Sequence, residues 1–170
     1  MLCDEIQVIH IASEVFADNR RFEWLMDDIA TLHVLGVRVV VVVSVRSQVD
    51  ARLLLDPWSE RPVRVRGARV TGKAELSALQ MECGLARSKV EAAMAKGLRT
   101  GGKLGPSATQ AVDVIGGNSL YTARPLGVVD GVDLKSTGTV RHVAADKIAR
   151  HLDAGDLVLL SALAYSVSIL

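Results

Sequence analysis

Apolar positions near the start of the chain change period twice. Ile6, Val8, Ile9 and Ile11 form a short, mainly alternating run. Phe22, Leu25, Met26, Ile29 and Leu32 then recur at three-and-four spacing, with Glu23, Asp27 and Asp28 on other faces. A strand followed by an amphipathic helix is predicted. Gly36 stands where a helix would end on a left-handed residue. Val37 to Val45 follows as a β-branched run with almost no polar alternation, as expected of a parallel strand buried on both faces. Together these segments make a βαβ unit, which should be right-handed.

Ser47, with Asp50 three residues on, suits an N-cap followed by an acidic first turn, and Pro57 would stop a short helix carrying Val49, Leu53 and Leu54. Residues 61–73 alternate Val with Arg and read as a strand or hairpin with one wet face. Thr71 then suits the cap of a long helix whose apolar face runs through Leu76, Leu79, Cys83, Ala86, Val90 and Ala93. Thr100 to Ser107 is rich in Gly and polar residues and reads as an exposed loop. From Val112 to Val143, β-like pieces alternate with turn signals at Gly116-Gly117-Asn118, Pro125, Asp130-Gly131 and Thr137-Gly138, which predicts hairpins. Ala144 to Leu152 reads as a helix ended by Gly155, and Leu157 to Leu160 as a further buried strand. No internal repeat is visible. The apolar finish at Tyr165 to Leu170 suggests an interrupted fold, with Leu157–Leu160 left as an open sheet edge that promotes association.

Composition narrows the class. The 170 residues are 49% hydrophobic and 23% charged, with a formal net charge of +1, as expected of one globular domain. With 4% aromatic residues and nearly balanced charge, the chain offers neither a basic field nor stacking platforms, which argues against nucleic acid as a partner. Mean hydropathy is +0.29, yet the apolar run at Val37–Val45 is far short of the roughly 20 residues that span a bilayer, so no membrane partner is expected. The acidic start shows no targeting segment. Cys3 and Cys83 suggest reduced thiols, Cys83 in a core, not a disulfide framework.

Candidate chemistry is sparse. Gly101-Gly102-Lys103 lacks the glycine spacing and the following Ser or Thr of a phosphate loop and reads as a flexible loop. His10, His33, His142 and His151 are isolated in sequence, so no metal site is predicted. Arg61, Arg64, Arg66, Arg69 and Lys73 read as a solvated strand face. Arg69 is the exception, because it falls at a strand-to-helix junction where anions are favoured. Gly116-Gly117-Asn118 is either a ligand-facing amide turn or a plain hairpin turn.

Several phrases together resemble one family. They are Asp28-Ile-Ala-Thr-Leu-His-Val-Leu-Gly-Val-Arg-Val, Arg69-Val-Thr, Gly117-Asn118, Ala123-Arg-Pro-Leu-Gly-Val-Val-Asp-Gly-Val-Asp133, Thr137-Gly-Thr-Val-Arg141 and Leu152-Asp-Ala-Gly-Asp-Leu-Val-Leu-Leu-Ser161. They are similar to the amino-acid-kinase-like domain of the N-acetylglutamate synthase family, in its bacterial and plant or algal versions. The resemblance implies an α/β fold, a three-layer αβα sandwich around a mainly parallel sheet, incomplete at its C-terminus. Residues 1–170 would be a partial kinase-like domain with no acetyltransferase domain. In the full-length family protein that second domain acetylates glutamate with acetyl-CoA at the start of arginine synthesis, while the kinase-like domain senses arginine and builds oligomers. No cofactor is expected in this chain.

The resemblance also assigns residues. Kinases of the wider superfamily place a Lys on the first strand followed by Gly-Gly, and a second Gly-rich loop after the second strand. Here those positions hold His10, Ala12, Ser13 and Ser44, whose side chains would obstruct the close backbone approach a phosphoryl group needs. Phosphoryl transfer is therefore not expected, and no residue is assigned as catalytic. Arg69 matches an arginine that holds a substrate carboxylate in related acetylglutamate kinases, and Gly117 and Asn118 fall near their substrate-contacting amide. A weak glutamate or acetylglutamate ligand is expected there. The implied role is regulation and oligomerisation, with a second copy or a full-length paralogue as partner. The alternatives are a small acetylglutamate-kinase-like phosphotransferase, or an interaction module working through Phe22–Leu35 or the apolar C-terminus. The cytoplasm is the expected compartment, or the plastid stroma if the source is a plant or alga.

Overall fold

The computed structural model describes residues 5–55, 62–100 and 112–166. Cys3, Pro57, Arg61, the Gly101-Gly102-Lys103 loop and the last four residues of the apolar C-terminus lie outside them. The elements in chain order are β1 (Ile6–Ile11), α1 (Ser13–Ala17), α2 (Asn19–Val34), β2 (Arg38–Val43), α3 (Arg46–Leu54), β3 (Arg64–Val65), β4 (Ala68–Arg69) and α4 (Lys73–Thr100). They continue as β5 (Val114–Gly116), β6 (Tyr121–Pro125), β7 (Val128–Val129), β8 (Val132–Asp133), β9 (Gly138–Val143), α5 (Ala145–Asp153) and β10 (Leu157–Ser161).

Four strands pair in parallel in the order β1-β2-β10-β5. Because side chains alternate across a strand, the valine run of β2 feeds two cores. Val39, Val41 and Val43 join Leu157 and Leu159 under Phe22, Met26 and Ile29 of α2, Val49 and Leu53 of α3, and Cys83, Val90 and Met94 of α4. Val40 and Val158 face the other way, against Leu120 and Leu152, with Ile148 of α5 packed beside them. Helices therefore cover both faces, and the expected three-layer α/β arrangement is present.

Helix α2 ends as its sequence predicts. Gly36 has φ +84°, its N–H donates to the His33 carbonyl, and the Val37 N–H reaches back to the Leu32 carbonyl. This double bond pattern closes the last turn and satisfies carbonyls the helix leaves open. Gly155, with φ +86°, ends α5 in the same way, through Gly155 N–H to Leu152 and Asp156 N–H to His151.

Four expectations are corrected. Leu157–Leu160 is not an open edge, since β10 lies between β2 and β5. It pairs with β2 along one edge and β5 along the other, and Leu157, Val158 and Leu159 are all buried between the two helix layers. The edges are β1, where Ile6 and Val8 are exposed, and the three-residue β5. Gly116-Gly117-Asn118 is not a hairpin turn, because β5 belongs to the main sheet and the chain leaves it there for the separate β6–β9 ribbon. Gly116 is required at that strand end, since a Cβ would fall 2.6 Å from the Leu159 carbonyl oxygen. Ser47 does not cap α3, because that helix starts one residue earlier with Val45 at its cap position. Thr71 does not cap α4 either. The first helical bond runs from the Leu76 N–H to the Gly72 carbonyl, and the Thr71 hydroxyl is engaged elsewhere.

The remaining strands form two-stranded antiparallel pieces, β3–β4, β6–β9 and β7–β8. Arg66-Gly67 turns the first with both residues at positive φ, and Asp130-Gly131 turns the third in the same manner. The two tips are clasped to each other: Arg66 Nε and Nη2 donate to the two Asp130 carboxylate oxygens, each at 2.7 Å. The β3–β4 hairpin lies beside the exit of β2, where Arg64 and Arg69 line one cavity with Ser44 and Val45.

Candidate functional site

In open α/β sheets, ligands settle beyond the carboxyl ends of the strands. At that end, a cavity of about 180 Å³ lies between the exit of β2, the start of α3, the β3–β4 hairpin and the start of α4. Its polar wall includes Ser44, Arg46, Arg64, Arg69, Thr71 and Glu75, and its apolar wall includes Val45, Val49 and Leu79.

Arg69, the last residue of β4, is positioned from both of its ends. Its backbone carbonyl accepts from the Thr137 hydroxyl, whose oxygen also sits 2.8 Å from the Thr71 hydroxyl oxygen. Its guanidinium reaches α3, where Nη2 donates to Asp50 Oδ1. Arg64 Nη2 lies 4.0 Å from Asp50 Oδ2, so one carboxylate stands between two guanidiniums. The Arg69 side chain is 14% exposed, and its Nη1 is buried with no hydrogen-bond partner. Burial draws the Arg69 pKa down from its usual value; Glu75 opposes this, and Arg46 adds to it by like charge.

The positions that the resemblance sets against phosphate loops take a different form. His10 is exposed on β1, opposite Val42, and Ala12 is the extended residue ahead of α1. Ser13 is buried. Its hydroxyl oxygen lies 2.7 Å from that of Ser47 at the start of α3, and Glu14 Oε1 lies 3.1 Å from the Ser13 oxygen and 3.3 Å from the Ser47 oxygen, so that one hydroxyl donates to the other, which donates to the carboxylate. Gln48 Nε2 donates to the Ser13 carbonyl at 2.7 Å, and the Ser44 N–H donates to the Ile11 carbonyl at 3.0 Å. The two loops are thus zipped to each other. Glu14's own backbone N–H, and then the Ser13 hydroxyl, hold its carboxyl below the usual carboxylate range, so it is anionic at neutral pH. A phosphoryl group needs converging N–H donors and positive charge. A bonded hydroxyl pair and a carboxylate do not fit it.

The structure brings Arg69 and Ser44 to one cavity, whereas Ser13 belongs to the neighbouring loop contact. Gly117, with φ +131°, and the exposed Asn118 sit in the turn after β5 and do not line the cavity. The arginine run is dispersed, Arg64 and Arg69 towards Asp50 and Arg66 to Asp130. His151 Nδ1 lies 2.8 Å from Asp156 Oδ2, and half-buried His33 has an unpartnered Nδ1. Among the described residues, no group of three His, Cys, Asp or Glu side chains could hold a metal ion. Sequence reasoning missed Asp50 as a partner of Arg69, read Thr137 only as a turn signal and part of a family phrase, and did not single out Glu75. Asp50 carries a legible signal as a helix acid, but no local pattern shows which arginine will fold against it.

Residues 5–168 match the family described as "Amino acid kinase family". The chain belongs to this family. This amino acid kinase family member is similar to the amino-acid acetyltransferases of Vibrio vulnificus, at 34% identity over 161 residues, and of Escherichia coli, at 33% over the same length. Each match covers 95% of this chain and 34% of the relative, so the chain spans about a third of their length. Its fold also matches the crystal structure of N-acetylglutamate synthase from Neisseria gonorrhoeae complexed with coenzyme A and L-arginine. The TM-score is 0.81 at 29% identity, covering 96% of this chain and 36% of that one. A Giardia carbamate kinase shares the fold at a TM-score of 0.56 and 14% identity, over 92% of this chain and 56% of the other. Among the described residues, no helix is long and apolar enough to cross a membrane.

Proposed function

We propose that the chain serves as a non-catalytic, regulatory and oligomerising kinase-like domain within an N-acetylglutamate synthase system of arginine biosynthesis. The observation that carries the non-catalytic part is the loop contact of Ser13, Ser47 and Glu14, which stands where a kinase of this fold would cradle phosphate. Similarity to amino-acid acetyltransferases over 95% of the chain supports the assignment to that system. The expected partner is a second copy or a full-length synthase. Acetyl-CoA chemistry belongs to the acetyltransferase part of such a synthase, and no residue here is assigned to it.

Two measurements test this reading. The chain alone, given glutamate and acetyl-CoA, should release no thiol above a protein-free control. In sedimentation velocity it should self-associate, or shift to larger species when mixed with a full-length synthase, and it should alter the arginine response of that synthase. Acetyl transfer by the chain alone overturns the proposal. So does a monomer that neither binds a synthase nor changes its arginine response.

A further inference from the structure

Arg69 and Arg64 come from the β3–β4 hairpin and meet the two oxygens of one carboxylate, that of Asp50 on α3. The backbone beneath Asp50 is fixed, because Val49 and Leu53 of the same helix are buried in the core. Asp50 therefore stands between helix and hairpin, paired with two arginines that line the cavity. A guanidinium receives a carboxylate best through two parallel N–H donors. On Arg69, Nη2 is already taken by Asp50, while Nη1 is sealed from solvent and has no partner. A free carboxylate would have to displace Asp50, or else settle beside it and beside Glu75, whose charge also acts on Arg69. A tethered carboxylate loses no translational freedom on pairing, whereas a free one does.

We infer that Asp50 is a built-in stand-in for a ligand carboxylate: it occupies the Arg69–Arg64 clamp, ties the hairpin to α3, and keeps the cavity closed to free carboxylates. Neutralising Asp50 removes the carboxylate that the two guanidiniums share, one of them largely buried, and removing one partner of a buried pair is costly. The site then becomes a receptor for a small monocarboxylate whose hydrocarbon part lies against Val45, Val49 and Leu79. This rests on the geometry of the cavity and not on the synthase reading, so acetyl-transfer assays do not bear on it.

The test compares wild type, Asp50→Asn and Asp50→Glu in sodium butyrate and in sodium chloride of equal ionic strength, followed by thermal unfolding and by NMR titration. In chloride, Asp50→Asn should melt below wild type. Butyrate should raise its melting temperature saturably and bind at least about tenfold more tightly than to wild type, equivalent to about 1.4 kcal/mol. Asp50→Glu, which keeps the charge, should behave as wild type, and adding Arg69→Gln to Asp50→Asn should abolish the response. If Asp50→Asn is unfolded in chloride, recovery of its folded circular-dichroism spectrum in butyrate supports the inference and failure to recover overturns it. Equal butyrate affinity in wild type and Asp50→Asn, or a butyrate response that survives Arg69→Gln, also overturns it.

Discussion

Thr137 shows how a single hydroxyl sets the candidate site. It lies 68 positions from Arg69 in sequence, yet it donates to that residue's carbonyl and meets the Thr71 hydroxyl, fixing the junction from which the guanidinium extends. Thr137→Val keeps the shape and removes the donor, leaving a part-buried carbonyl short of a partner. The expected loss is about 1–2 kcal/mol in urea denaturation, with Thr137→Ser close to wild type. An unchanged midpoint for Thr137→Val would show that the hydroxyl positions nothing. At this scale the sequence was half legible. Arg69 stands out because a strand-to-helix junction favours anions, but its anion comes from within the chain. Asp50 reads as an acid near the start of a helix, since spacing inside one helix says nothing of a partner 19 residues away. Gly117 and Asn118 read equally well as ligand turn or hairpin turn, and the turn after β5 is neither a hairpin nor a wall of the cavity.

Elements were more legible than their order. The valine run of β2, the three-and-four spacing of α2 and the glycines that end α2 and α5 are local signals, and each yields the element expected. Strand order is not local. Placing Leu157–Leu160 at the edge takes the last strand in sequence to be the last in space, whereas pairing with both β2 and β5 puts β10 inside the sheet. The difference is measurable. Leu157 is fully buried, so Leu157→Ala should cost about 2–5 kcal/mol. Val8 is 66% exposed on the edge strand, so Val8→Thr should stay within about 0.5 kcal/mol. Similar losses for the two variants in denaturant unfolding would contradict the observed strand order.

For the molecule as a whole, pH gives a check on packing. Burial holds the His33 imidazole below its ordinary pKa of 6.5, with the nearby Asp156 charge opposing the shift. The unfolded chain therefore binds a proton at this residue more readily than the folded one. The His33 contribution is fully present above the ordinary histidine range and is lost as pH falls through it towards the lower folded value. His33→Gln should flatten the acid side of the stability profile around that range. A wild-type profile whose slope there is unchanged by the substitution would show that His33 is not buried as described. The architecture was legible because the two-faced valine strand, the βαβ opening and the phrases shared with the synthase family point to one fold. The state of the site was not, because it depends on side chains that meet only after folding.

This member of the amino acid kinase family keeps the fold while the loops after β1 and β2 are bonded to each other. The proposed loss of phosphoryl transfer is tested by an ADP-release assay of the purified chain with ATP, magnesium and acetylglutamate, with product followed by phosphorus NMR. No ADP and no acyl phosphate are expected above a protein-free control. Stoichiometric, protein-dependent formation of both would show that the contact of Ser13, Ser47 and Glu14 opens to hold a nucleotide, and would overturn that proposal.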